Sequence, residues 1–258
     1  MARDDYAAAV EHYYRAFDLA PYRIEVLQGL SVALAAAQRY QEAVSVYQAI
    51  ISLCPEDRTA RFNLAIAFSK LGRFDQAEET YRSLLADHED FVQARYNLAS
   101  LYQAQGKLSQ AREAWQEVVR QAPHLESAQT ALGEVLLDLG DAPAAMLAFA
   151  EAAKLQPQAV SNWLNLAEAA RAAGSYGRAI VAVKRATQLA PEDAAVWARL
   201  GQLLLELHRA TSREEFLAQA LEAWRRSLEL DPTQQDLRER LKLYSPTTAS
   251  APASQPAG

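Results

Sequence analysis

Cysteine is almost absent from this 258-residue chain: Cys54 stands alone, so no disulfide can form within it. Histidine is scarce too. His12, His88, His124 and His208 come with no HExxH, no paired Cys or His at ligand spacing and no glycine-rich phosphate loop. His88 and His124 sit near Glu89 and Asp90, but a tetrahedral site needs three or four convergent ligands, so neither metal nor cofactor is expected. An enzyme has no residues to stand on here. No run of about 18 apolar residues exists to span a bilayer, which excludes direct membrane insertion. The opening "MARDDYAAAVEHYYRAF" lacks the apolar core of a signal peptide, so the chain as written reads as cytoplasmic. Basic charge is not clustered. The formal net charge is −6, with 26 basic and 32 acidic residues intermixed, which argues against nucleic acid as a partner. Residues 245–258, "SPTTASAPASQPAG", lack charge and large apolar groups and have the composition of a disordered tail.

The few prolines are periodic. Pro21, Pro55, Pro123, Pro157 and Pro191 fall on a period of 34, and Glu89 takes the missing slot. Leu30, Leu64, Leu98, Leu132, Leu166 and Leu200 run in phase, each followed by Ser, Ala or Gly. Ala9, Ala43, Ala77, Ala111, Ala145 and Ala179 form a third ladder, with Tyr13, Tyr47, Tyr81, Trp115, Phe149 and Val183 four residues after them. Small residues belong where two helix axes pass 8–10 Å apart. Gly72, Gly106, Gly140 and Gly174 suit turn positions that need positive φ, and the prolines end helices.

Together these ladders resemble the tetratricopeptide repeat, a helix, a tight turn and a second antiparallel helix, over residues 4 to 232. The resemblance implies an all-α fold, a right-handed α-solenoid of antiparallel helix pairs whose stability comes from stacking. The implied organisation is a half repeat at 4–23, repeats at 24–57, 58–91, 92–125, 126–159, 160–193 and 194–234, and a cap helix at 235–244. Within the last full repeat Pro191 to Pro232 holds seven residues too many. Ser212 and Glu215 have capping-box spacing, so the second helix is predicted to lengthen by up to two turns from near Arg213. In the half repeat, Tyr6, Val10 and Tyr13 should expose an apolar face, pointing to a longer parent chain, to self-association or to a frayed end. Glu89 in a proline slot suggests a looser link in "DHEDF", and Ile50, Leu84 and Val118 are larger than the usual alanine late in the second helix.

With the leucine ladder as position 7 of each unit, positions 4, 7, 8 and 11 form the buried stripe of the first helix, and 2, 6, 9 and 13 point away from it. In the resembled family that line of first helices coats a concave groove for extended peptides or helices. Position 6 carries Asn63, Asn97 and Asn165, interrupted by Gly29, Ala131 and Arg199. An amide offers a donor and an acceptor to a peptide backbone whatever its side chains. The series is similar to the asparagine ladder in the superhelix of O-linked N-acetylglucosamine transferases, though gapped and with no transferase domain after it. "ARFNLA" and "ARYNLA" place Phe62 and Tyr96 beside the asparagines, either as groove-edge anchors or as packing between helices, with Ile66, Lys70, Ser100 and Gln103 further along. Arg61 and Arg95 should lay their stems on the core and keep their heads wet. Glu134, Asp138, Glu168 and Glu206, against Arg171 and Arg199, make the lower groove favourable to a segment with basic residues. A dicarboxylate clamp for chaperone tails is disfavoured, because its cations are missing around Asn63 and Asn97.

The expected function is a non-catalytic scaffold or adaptor that holds a protein or peptide segment, with a brief upper site and a separate, more acidic lower one. The alternatives are the substrate-recruiting region of a larger enzyme such as a glycosyltransferase, and a scaffold that self-assembles as a homo-oligomer through the open N-terminal half repeat.

Overall fold

A computed structural model describes residues 2–244, with side chains from Tyr6 onward, so the tail at 245–258 lies outside the described residues. Every element there is an α-helix, and the chain is an all-α solenoid of helix pairs. It divides after His124 into two compact units. Unit 1 holds α1 (Ala2–Leu19), α2 (Ile24–Ala36), α3 (Tyr40–Leu53), α4 (Arg58–Lys70), α5 (Phe74–Asp87), α6 (Val92–Ala104) and α7 (Leu108–Gln121). Unit 2 holds α8 (Glu126–Asp138), α9 (Ala142–Leu155), α10 (Val160–Ala172), α11 (Tyr176–Leu189), α12 (Ala194–Thr211), α13 (Glu214–Leu230) and α14 (Gln235–Tyr244).

The turn inside each pair follows from one left-handed residue. Gly72, Gly106, Gly140 and Gly174 have φ between 69° and 80°. The next residue's N–H then reaches back five residues, Arg73 to the Phe68 carbonyl at 2.9 Å and Asp141 to Leu136 at 2.8 Å, closing the helix end. Gln38 occupies the same slot in the first pair at φ 60°. An L side chain there costs about 1–2 kcal/mol, partly offset by the entropy a glycine would add to the unfolded chain. Gln38→Gly is therefore expected to stabilise unit 1 by about 0.5–1 kcal/mol, read as a raised denaturation midpoint at unchanged slope; a lower midpoint would show that the side chain contributes more than its backbone costs.

The sixth pair departs because His208 stands in the glycine slot. The first helix does not stop there. It runs on to Thr211 and ends at Ser212, whose φ is 56°. The seven extra residues are thus divided: α12 has 18 residues against 13 in α10, α13 has 17 against 14 in α11, and the turn is one residue shorter. The second helix does lengthen, from Glu214 as expected, but by three residues, while the first helix takes five. The capping box is corrected, since Ser212 closes α12 and Arg213 precedes α13 with no side-chain cap.

Second-helix aromatics explain the small residues at position 8. A Cβ added to Gly133 would lie 2.7 Å from the Phe149 ring, and one added to Gly201 would lie 2.3 Å from the Trp224 indole. The ring alone demands glycine at position 133, while at position 201 the backbone carbonyl of Ala220, 3.0 Å from that Cβ, adds to the indole. Ile50, Leu84 and Val118 are fully buried. Trp115 donates its Nε1–H to Gln103 Oε1 at 3.0 Å. Trp224 Nε1 is buried without an acceptor, because the corresponding position holds Leu205.

Position 4 carries a recurrent bond that the sequence reading missed. Arg95, Trp163 and Trp197 each donate to the backbone carbonyl six residues earlier, in Glu89, Pro157 and Pro191, all at 2.9 Å, and Arg238 does the same to Pro232. Each bond ties the start of a first helix to the link before it, satisfying a carbonyl left over at the preceding helix end. The heads of Arg61 and Arg95 make bonds within the chain at exposed positions, in addition to meeting solvent as expected from sequence. Arg61 pairs with Asp87 at 2.5 Å, and Arg95 Nε is buried without a partner. Nor is the link at Glu89 looser: it has the usual four residues, and its carbonyl also accepts from Gln121 at 3.0 Å.

At the N-terminal end of unit 1, Val10 is fully buried against α2, contrary to the expected exposure, while Tyr6 and Tyr13 remain 43% and 38% exposed. In unit 2, α14 buries Leu237 and sets the Tyr244 ring 6.2 Å from Trp224. None of the described helices is long and apolar enough to cross a membrane.

Candidate functional site

In unit 1 the first helices α2, α4 and α6 bring Asn63, Ile66, Lys70, Asn97 and Ser100 to the side away from the buried stripe, where Lys70 is exposed and the others half-buried. The two asparagines are not equivalent. Asn63 borders a cleft of about 210 Å³ between α2 and α4, shared with Gln28, Val32, Tyr47 and Thr59. Its amide has no hydrogen-bond partner among the described residues. Asn97 instead belongs to the step between α4 and α6, where it and Ser69 hydrogen-bond the buried Tyr81 hydroxyl. Burial pushes that hydroxyl up to about 12, and the two hydrogen bonds offset the shift only in part.

Phe62 and Tyr96 pack. The Phe62 ring lies 5.1 Å from Phe91 and 6.2 Å from Tyr81, and Tyr96 meets Trp115 edge-on at 4.7 Å. Of the two readings the sequence allowed, packing between helices is the one these rings make. Both rings stay half-buried, so each keeps part of its surface open beside Asn63 and Asn97.

Sequence reasoning missed Val32 as a site residue. It is 61% exposed at position 9 of α2, and it borders both the Asn63 cleft and a second, more apolar one of about 460 Å³ beside Tyr6, Tyr13 and Gly29. The Tyr13 ring fills the space a Cβ at Gly29 would need, which is why position 6 is glycine there. The legible signal was an apolar residue at position 9 of the first repeat, as Ile66 is in the second, where later repeats hold Ser100, Glu134 and Glu168.

In unit 2, Glu134 and Asp138 are exposed on α8, Asn165 is half-buried on α10, and Arg199 is exposed on α12. Glu168 and Arg171 form an ion pair at 2.5 Å, and the guanidinium holds the carboxyl below the usual range, with Arg199 adding to the effect. Glu206 lies near Arg171 and accepts from Gln202 at 3.0 Å, and Gln202 in turn accepts from Arg240 of α14 at 2.7 Å. Part of the charge expected here on α10 and α12 is therefore answered internally. No group of three or more His, Cys, Asp or Glu among the described residues is placed to hold a metal ion.

Sequence profiles of the tetratricopeptide repeat match residues 62–123 and 96–160, and a second set matches 24–67 and 160–203. No curated protein matches the chain. Among solved structures, the C-terminal part of a TPR repeat-containing protein from Cytophaga hutchinsonii superposes with a TM-score of 0.78 at 17% identity, covering 92% of this chain and 95% of that one. YrrB, a TPR protein with an unusual peptide-binding site, gives 0.63 at 17% identity over 76% of this chain and 97% of its own. A structure of MamA is 25% identical, with a TM-score of 0.58, and covers 66% and 92% of the two chains.

Proposed function

Because the chain belongs to the tetratricopeptide repeat family, we propose that it is a non-catalytic scaffold whose unit 1 holds an extended segment of a partner protein along α2, α4 and α6. The observation that carries this reading is Asn63: an amide left without an internal partner, beside a cleft lined by apolar, amide and hydroxyl groups and by the Asp57 carboxylate that caps α4. Such a group offers one donor and one acceptor to a peptide backbone, and Val32 and Ile66 supply apolar contact on either side. Lys70 and Asp57 supply one charge of each sign beside it. The peptide-binding site of YrrB, a neighbour in fold, supports the reading. Asn63 takes the part that the similarity to the glycosyltransferase ladder assigns, while Asn97 serves it at most after releasing Tyr81. In unit 2, Glu134, Asp138 and Glu168 favour a segment carrying basic residues, with Asn165 and Arg199 beside them and Arg171 paired with Glu168.

The test is a selection of displayed peptides on the wild-type chain, followed by titration of the selected sequences against Asn63→Ala and Ile66→Asp. Loss of the backbone bonds at Asn63 should weaken binding by about 1 kcal/mol, or roughly fivefold, and the buried charge at Ile66 should weaken it more, at equal helicity. Unchanged affinity in both variants sinks the proposal. A second reading, association of copies through α1, is favoured by the apolar cleft beside Tyr6 and Tyr13.

A further inference from the structure

Apolar side chains scattered singly over a surface need no explanation, but in a repeat protein register separates the scattered from the placed. Leu147 of α9 and Val181 of α11 stand 34 residues apart, each two residues after the buried alanine of its second helix, and they are 65% and 67% exposed. The same position holds Glu11, Ser45, Glu79 and Glu113 in unit 1 and Glu222 in α13, all exposed. Packing therefore asks nothing apolar of this position, and two consecutive second helices supply it all the same.

Cations gather around the pair. α11 carries Arg178, Lys184 and Arg185 and no acidic residue, in a chain whose formal net charge is −6. Arg178 reaches across to α9, its guanidinium 3.8 Å from the Met146 sulfur, which joins the outer faces of the two helices. On the other side of α11, Lys184 borders a cleft of about 460 Å³ shared with α13, floored by Trp197, Leu200 and Leu204 of α12, with Glu222 and Arg225 on the α13 wall. Lys154 is paired with Glu151, and Arg226 with Glu192 and Glu229. Arg178, Lys184, Arg185 and Arg225 have no carboxylate partner among the described residues, and they outnumber Glu214 and Glu222, the carboxylates of α13 that also lack an ion pair.

We propose that this second-helix side of unit 2 is a docking surface of its own, and that its occupant is an acidic amphipathic helix of a partner protein. The apolar stripe of that helix lies on Leu147 and Val181 and sets one large side chain on the half-buried Trp197, while carboxylates on its flanks meet Arg178, Lys184 and Arg225. A helix fits where an extended strand does not. The side chains that face outward here are apolar or charged, with no amide placed as Asn63 is to serve a bare backbone, and a helix satisfies its own backbone groups. The preference for acid is opposite to that of Glu134 and Asp138 on the first helix α8, so unit 2 can select two unlike segments, one with its first helices and one with its second.

A displayed library of amphipathic helices, its apolar stripe fixed as leucine and its flanks randomised, tests this on the full chain and two double variants. Leu147→Glu with Val181→Glu installs the residue that Glu79, Glu113 and Glu222 already place at this position, so wild-type helicity by circular dichroism is expected. Arg178→Gln with Lys184→Gln removes charge alone. Helices selected on the wild type should carry Asp and Glu on their flanks and lose about tenfold or more in affinity for the glutamate variant. For the glutamine variant they should lose about fivefold, with a flatter dependence on salt. Asn63→Ala should bind them as the wild type does, which separates this surface from the peptide site of unit 1. Selected helices with neutral or basic flanks, or a selection that yields none dependent on Leu147 and Val181, overturn the proposal. Vesicles of phosphatidylserine and phosphatidylcholine that sediment the wild type but not the glutamate variant, where no selected helix competes, would overturn it too and assign the face to an anionic membrane surface.

Discussion

Trp115→Ala should cost unit 1 about 3–5 kcal/mol, the usual range for removing a fully buried indole. Trp115 is 1% exposed at the centre of the pair α6 and α7. Its ring fills the space that Ala99 leaves at position 8, its Nε1–H bonds Gln103, and the Tyr96 ring meets it edge-on. In a stack, each pair gains most of its stability from the next, so the loss should appear first as faster amide exchange in α6 and α7 and only then as a lower midpoint for unit 1. The same measurement separates the two roles open to Tyr96. If the ring packs on Trp115, Tyr96→Ala destabilises unit 1 and couples to Trp115→Ala by about 0.5–1.5 kcal/mol in a double-mutant cycle. Unfolding of Tyr96→Ala at the wild-type midpoint would return that side chain to the groove.

What the sequence made legible is what one helix demands of one position. Leucine at position 7, a small residue at position 8 and glycine in the turn are local requirements, so their ladders could be read residue by residue. The insertion was harder, because prolines count the residues in a repeat without marking where its turn falls. His208 in the glycine slot was the missed sign that the first helix continues. The aromatics beside the asparagines were ambiguous for a different reason. A helical wheel places Phe62 and Tyr96 at an edge, but Tyr81, Phe91 and Trp115, which decide the matter, come from other helices and the links between them. The two hexamers "ARFNLA" and "ARYNLA" differ at one residue, yet their asparagines end in different surroundings. The Tyr47 hydroxyl turns to the Ser31 carbonyl, whereas the Tyr81 hydroxyl meets Ser69 and Asn97. Nearly identical local sequence thus leaves Asn63 free for a partner and turns Asn97 toward the Tyr81 hydroxyl.

That commitment has a pH signature. An unfolded tyrosine loses its proton near pH 10, while burial holds the folded Tyr81 proton up to about 12. Below pH 10 both states carry the proton and the group's contribution is fully present. Between pH 10 and 12 the unfolded chain has released it and the folded chain has not, so the unfolded state binds fewer protons and stability falls as pH rises. Two units amount to about 3 kcal/mol lost over that interval, with smaller losses in the same direction from the buried Tyr47 and Tyr102. Tyr81→Phe should start about 1 kcal/mol below the wild type at pH 7, since Asn97 and Ser69 lose a partner, and should then decline less, so that the difference narrows or reverses by pH 12. Denaturant unfolding at intervals from pH 8 to 12 measures both slopes, and parallel curves would exclude Tyr81 as the titrating group. Asn97→Ala is the more discriminating variant. Removing a hydrogen bond that favours the ionised form raises the folded pKa further, so the decline should extend to higher pH. An Asn97→Ala curve that overlays the wild type would mean the amide is not held by Tyr81, and would restore Asn97 to the same standing as Asn63 in the groove.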